Sequence, residues 1–221
     1  MSWESTALYY KSINEDVKAA LGGLHSAQIS LYSVNFEAIE KLQHQGRWDE
    51  TALILADAAK AVESAGADFL LICTNTMHKV APQIEAQLSI PILHIADATA
   101  QRLKSDGIQK VGLLGTRFTM EQDFYKQRLI EQFGVDVVIP NEADRAVVHD
   151  VIYNELCLGD IKDSSRAEYL KIVDRLHQQG AQAVIMGCTE ITLLISQTDT
   201  TVPLYDTTEI HAEEAVKLAL S

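Results

Sequence analysis

Basic residues are scarce in this chain of 221 residues: 18 Lys and Arg stand against 31 Asp and Glu, a formal net charge of −13. That balance argues against nucleic acid as a partner, because nucleic-acid binding rests on basic patches. Any site for an anion must then be built locally, from backbone N–H groups, hydroxyls or a single Lys or Arg. Cysteine is scarce too. Cys73, Cys157 and Cys188 are an odd number at wide spacing, with no CxxC. That is neither a disulfide framework nor a zinc site. Only four prolines are present and charged residues make up 22%, which argues against disorder. No apolar run reaches the roughly 18 residues of a membrane span, and no basic n-region with an apolar h-region marks a signal peptide. The expectation is a cytoplasmic protein without a membrane partner. Apolar residues at 47% suffice for one large core or two small ones.

What is present is a local motif used twice. Residues 66–75 read GADFLLICTN, and residues 180–190 read GAQAVIMGCTE. Each runs Gly-Ala, an apolar strand, then Cys-Thr and a polar residue. Ile90-Pro91-Ile92 follows the first, and Val202-Pro203-Leu204 the second. Two related halves are expected, each presenting one thiol at the end of a strand.

Apolar strand candidates alternate with helix candidates along the chain. Helices are expected near residues 3–20, 36–44, 49–64, 76–87, 97–105, 120–133, 143–156, 165–179, 189–196 and 207–220. Strands are expected near 27–34, 69–72, 92–95, 110–114, 135–139, 183–186 and 204–205. Repeated βα units imply parallel sheets with helices on both faces. Their ligands bind at the C-terminal edge of the strands, where both Cys-Thr motifs fall. The first domain is expected to take residues 1–100 plus 207–221, and the second 101–206. The start is unusual, because residues 1–6 open directly on a helix. A parallel sheet of this kind usually has a strand and a Gly-rich turn before such a helix.

The chemistry suggested by two thiols is proton transfer at carbon. Removing the α-proton of an amino acid without pyridoxal phosphate requires hydrogen bonds to the carboxylate as it gains enolate character. A thiol has an ordinary pKa of about 8.5, and a helix N-terminus lowers it. Cys73 and Cys188 each precede an expected helix. One as thiolate and one as thiol would form a reversible acid–base pair. Thr74, Asn75, Thr76 and Thr189 supply donors beside them, Gly115-Thr116 and Thr119 offer a second carboxylate site, and Glu190 is placed to orient a neighbour or take an ammonium group. A single cysteine after a strand is most often small core filler; the duplication is what favours function for this pair. Cys157, on an apolar stripe with Val151, Ile152 and Leu156, reads as core. His78 and His94 read as hydrogen-bonded structural residues or assistants at the active edge. His149 and His211 read as surface or helix-stripe residues. Arg47 and Lys162 read as loop charges. No His, Asp or Glu spacing makes a metal site, and Gly112-Leu113-Leu114-Gly115 is not a dinucleotide fingerprint.

The motifs MSWEST (1–6), CTNTMHKV (73–80), GLLGTRFTMEQDFY (112–125) and GCTEI (187–191) together resemble the aspartate/glutamate racemase family, within the wider group of aspartate, glutamate and hydantoin racemases. The resemblance implies an α/β fold of two pseudo-twofold-related domains, each a parallel sheet flanked by helices, with the active site in the interdomain cleft. It implies an isomerase: a pyridoxal-phosphate-independent racemase interconverting L- and D-aspartate or glutamate with two cysteines, here Cys73 and Cys188. It implies no cofactor, an amino-acid substrate and a homodimer. Substrate contacts would fall on Met1, Gln43, Thr74, Asn75, Thr76, Thr116, Thr119, Lys162, Thr189 and Glu190. Family members carry a strand and a GGM turn before SWEST, of which only the Met stands here. Without that strand a central sheet position would be empty, leaving unpaired backbone. Two alternatives stay open: a related two-cysteine isomerase of the hydantoin racemase or maleate cis-trans isomerase type, and a non-catalytic amino-acid-binding protein.

Overall fold

A computed structural model describes all residues 1–221. The chain divides into two compact units: Met1–Ile95 with His211–Ser221, and Ala96–Ile210.

The first unit contains α1 (Trp3–Leu21), α2 (Phe36–His44), α3 (Trp48–Ser64), a 3₁₀ turn (Thr76–Val80) and α4 (Ala81–Glu85). Ser2 caps α1, its side chain accepting from the Ser5 amide. Helix α3 buries Ala52, Leu55, Ala56 and Ala59, the spacing of one helical face, and packs on α2 and α4. Its core adds Ile39, Leu70, Ile72, Met77, Val80 and Ile84. The helix expected over 76–87 is broken in two. Pro82 lies at the start of α4, where its missing N–H costs nothing, and the preceding turn tightens to 3₁₀.

No strand forms in this unit. Of the three expected strands only one parallel bridge appears, Leu70 to Ile92, closed by Leu70 N–H to Pro91 O (2.9 Å) and Leu93 N–H to Leu70 O (3.0 Å). Residues 28–34 make no backbone–backbone hydrogen bond. The expected parallel sheet is thus corrected here to a single bridge. The reason is spatial: residues 26–34 and 65–73 border a cavity of about 1090 Å³, shared with α1, α3 and the chain end, so neither stretch has a strand beside it on that side. A ladder needs such a neighbour about 4.8 Å away.

The second unit has a real sheet. Its elements are α5 (Ile95–Ser105), β1 (Lys110–Gly115), α6 (Arg117–Glu121), α7 (Asp123–Phe133), β2 (Asp136–Val138), α8 (Glu142–Asn154), α9 (Asp163–Gln178), β3 (Ala183–Gly187), α10 (Ile191–Leu194), β4 (Leu204–Asp206) and α11 (Thr207–Ala219). From His211 onward α11 belongs to the first unit. The four strands run parallel in the order β2-β1-β3-β4. The strands β1 and β3 are buried along almost their whole length, as continuous apolar runs in parallel sheets are. Helix α9 buries Tyr169, Ile172, Val173 and Leu176, and α8 buries Val148, Val151 and Ile152 against the same core.

Gly112 permits close approach of α9 to the sheet: a Cβ there would stand 2.9 Å from Leu176 Cδ1. The helix expected over 120–133 is divided at Gln122, whose backbone is extended (φ −85°, ψ 151°), giving α6 and α7. Cys157 lies in a 3₁₀ turn (Leu156–Leu158) rather than a helix, partly buried against the core.

Candidate active site

In the second unit β1 and β3 end side by side, with Gly115 opposite Gly187 in register. Both glycines are required by what packs over them. A Cβ on Gly187 would lie 2.8 Å from the Leu114 carbonyl oxygen and 3.3 Å from Thr119 Cγ2; one on Gly115 would lie 3.2 Å from Thr119 Cβ. The bare strand ends let the Thr116–Thr119 turn settle against Gly187, the residue before Cys188. Thr116 caps α6, its Oγ1 accepting from the Thr119 amide at 3.4 Å, and the two hydroxyls are 3.3 Å apart. Thr116, Thr119 and Thr189 are buried.

The Cys188 thiol donates to Glu190 Oε2 (3.0 Å), and the Thr189 hydroxyl donates to the same oxygen (2.8 Å). Burial pushes the Cys188 thiol well above its ordinary pKa, and the Glu190 carboxylate pushes it further. Lys162 pairs with Asp160 (3.0 Å) and Glu155 (3.3 Å), which raise its pKa. Glu155 also accepts from the Ser165 hydroxyl (2.6 Å). Glu155, Cys157 and Cys188 all act on the buried Tyr169 hydroxyl, which donates to Val148 O (2.8 Å).

In the first unit Cys73 follows the bridged stretch. The Thr74 amide donates to Ile72 O (2.7 Å), an i→i+2 bond that closes a γ-turn centred on Cys73, of the inverse kind because no non-glycine residue has a positive φ. The Cys73 carbonyl accepts from the Met1 ammonium and from the Ser5 hydroxyl (2.9 Å). Asn75 and Thr76 are buried and lead into the 3₁₀ turn, and Gln43 is buried on α2. Burial raises the Cys73 thiol to about 11, with the Met1 ammonium acting in the opposite direction. Both cysteines keep part of their surface in solvent, yet protein encloses each closely enough for burial to dominate.

One sequence expectation is corrected here. Neither thiol is lowered by a following helix: the 3₁₀ turn and the four-residue α10 are too short to carry a developed dipole, and desolvation wins. Of the two readings of His211, surface or helix stripe, the structure takes the second, on α11. His211 is fully buried, its Nδ1 accepting from the Tyr9 hydroxyl (2.7 Å) and its Nε2–H donating to Leu93 O (2.8 Å). Arg47 is, as expected, an exposed loop charge; it stands just before α3 and pairs with Glu50. Ser5 was not among the sequence-derived site residues, although it sits inside MSWEST; nothing in its spacing reveals a partner 68 positions away. No group of three or more His, Cys, Asp or Glu side chains is arranged to hold a metal ion, and no helix is long and apolar enough to cross a membrane.

Residues 1–215 match the family model Asp/Glu/Hydantoin racemase. The chain belongs to that family. A candidate Asp/Glu racemase from Yersinia pestis has a crystal structure with a TM-score of 0.94 and 55% identity, covering 100% of this chain and 96% of that one. An aspartate racemase homologue from Pyrococcus horikoshii OT3 gives a TM-score of 0.86 at 34% identity, again over 100% and 96%. The broad specificity amino-acid racemase RacX of Bacillus subtilis (strain 168) is 25% identical over 177 residues, 78% of this chain and 74% of RacX. Membership in a racemase family carries isomerase chemistry on an amino-acid substrate as its coarse implication.

Proposed function

We propose that this protein is a pyridoxal-phosphate-independent amino-acid racemase that interconverts L- and D-aspartate or glutamate, with Cys73 and Cys188 as the two acid/base residues. The observation that carries the reading is the Cys188 thiol donating to the Glu190 carboxylate at 3.0 Å. A thiol committed to a carboxylate has a ready acceptor for its proton, which is what an acid/base cysteine needs and a core cysteine does not. The family match and the two similar structures support it.

Glu190 takes the proton of Cys188, and the resulting thiolate removes the substrate's Cα proton. The electron pair moves into the carboxylate as an enolate. The Cys73 thiol protonates the opposite face of Cα and is left as thiolate. The reverse direction exchanges the two roles. Hydroxyls of Thr74, Thr76, Thr116, Thr119 and Thr189, with Asn75, supply donors for the carboxylates and the developing enolate. Lys162 is the cation on offer for a side-chain carboxylate. Met1 and Gln43 complete the proposed contacts.

The test is proton NMR of L- and D-aspartate and glutamate in deuterated buffer with the protein and no added cofactor. Loss of the Cα proton signal with inversion to the other enantiomer is expected. No exchange with any acidic or polar amino acid would remove the reading.

A further inference from the structure

Two side chains grip the backbone at and just after Cys73. The Ser5 hydroxyl holds the Cys73 carbonyl (2.9 Å). His78 holds the next carbonyl: its Nδ1 lies 2.8 Å from Thr74 O. The other ring nitrogen, Nε2, lies 3.2 Å from the Ile95 backbone nitrogen, the first residue of α5. A backbone N–H can only donate, so Nε2 is the acceptor and Nδ1 carries the proton. The ring is thereby fixed as one neutral tautomer, donating to the carbonyl just past Cys73.

His78 is buried, as are His94 and His211. The His94 ring is 4.4 Å and the His211 ring 6.0 Å from it. Burial, then these two rings, hold His78 well below the ordinary histidine pKa. Tyr9 backs His211, and the Met1 ammonium reaches the Cys73 carbonyl.

We propose that His78 and Ser5 are positioning residues that aim the Cys73 thiol by clamping the carbonyls of the γ-turn centred on it. This rests on the reading of Cys73 as an acid/base residue for its catalytic consequence, but not for its structural one. The turn fixes the direction of the Cα–Cβ bond of Cys73. With Thr74 O released, the turn keeps the i→i+2 bond and the grips on the Cys73 carbonyl but loses the hold on its C-terminal side, and the thiol swings toward water.

Two amide substitutions separate positioning from bulk stability, because each replaces one ring nitrogen. Asn at 78 places an N–H where Nδ1 stood and can still donate to Thr74 O. Gln reaches the Nε2 position and can accept from Ile95 N–H but abandons Thr74 O. The experiment is peptide-resolved alkylation of the thiols by iodoacetamide from pH 7 to 10, with urea unfolding of each variant alongside. In His78→Gln the Cys73 alkylation profile is expected to move to lower pH, with a rate at pH 8 at least threefold above that of His78→Asn, while Cys188 in the same digest stays at its wild-type rate. Ser5→Ala should move Cys73 in the same direction, and it decides the matter if His78→Gln does not fold.

Equal Cys73 rates in His78→Asn and His78→Gln would overturn the proposal, as would Cys73 and Cys188 accelerating together in step with lost stability. Racemisation is read in parallel. A kcat at least tenfold lower in His78→Gln than in His78→Asn, at similar KM, is the catalytic counterpart. An alkylation split in a protein that racemises nothing would leave the positioning intact and remove the racemase reading alone.

Discussion

The two copies of the Cys-Thr motif look alike in sequence and sit in different surroundings. Cys188 follows β3, one of the two inner strands of a four-stranded parallel sheet. Its backbone is set by the ladder and by glycines that admit Thr119, and its thiol is engaged directly by Glu190. Cys73 follows a stretch joined to the rest by one bridge. With no ladder to set its backbone, side chains hold the carbonyls around it instead, Ser5 from 68 positions away and His78 from the next turn. The repeated motif therefore carries a thiol and a hydroxyl neighbour in both units on different supports: hydrogen bonds between strands in one unit, side chain to carbonyl in the other.

The sharpest way to break that comparison is to remove each thiol in turn. Cys73→Ser and Cys188→Ser should each lower racemisation in both directions by at least about 10³-fold, a barrier increase of about 4 kcal/mol. Each variant is expected to retain Cα exchange with solvent deuterium from one enantiomer only, opposite enantiomers for the two variants. Racemisation at wild-type rates by both single variants would end the two-thiol reading.

A smaller loss is expected from Glu190→Gln, about 10²-fold in kcat if the carboxylate serves as proton acceptor for Cys188. The same change removes a negative neighbour that raises the Cys188 thiol. Its alkylation profile should shift to lower pH while that of Cys73 stays in place. A shift at both sites would show that the change acts through global loosening.

Acid should weaken the first unit. Burial lowers His211 to about 4 and holds His78 well below its ordinary value. For a histidine kept neutral in the fold, the unfolded chain binds the extra proton first. The stability this gives is complete above the ordinary pKa of about 6.5, is lost as pH falls toward 4, and levels off below that. For His211 the loss is on the order of 3 kcal/mol. Urea unfolding of wild type and His211→Gln at pH 7 and pH 4.5 measures it. The gap between the two proteins should narrow at the lower pH, and a constant gap would show that His211 does not titrate with unfolding.

The most local test lies in the second unit. Gly187→Ala places a Cβ 2.8 Å from the Leu114 carbonyl, and the backbone must shift to relieve it. A destabilisation of about 1–3 kcal/mol is expected, with the unfolding midpoint as the readout. Gly134→Ala, at a positive φ with open space around it, should cost about 1 kcal/mol through backbone strain alone and leave both thiols' alkylation unchanged.

Much of this was legible in the chain itself. The apolar runs at 110–115 and 183–187 became β1 and β3 because both faces of a parallel sheet are covered. The spacing of apolar residues in 163–178 became α9 for the same reason of burial on one face. The repeated Gly-Ala-strand-Cys-Thr pattern located both thiols, and the four motifs located the family. Those features depend on residues close in sequence, so local periodicity and motif spacing contain them. The tertiary structure decided the rest. Whether 27–34 and 69–72 pair depends on what lies beside them, which no window of sequence reports. The thiols' protonation depends on how closely protein encloses them, and burial outweighed the helix starts that the sequence suggested. Between surface and helix stripe the choice for His211 fell on the buried stripe because Tyr9, 202 positions away, and Leu93, 118 away, satisfy both its ring nitrogens. A buried polar group is tolerated only where such partners exist, and long-range partners are what folding alone brings together.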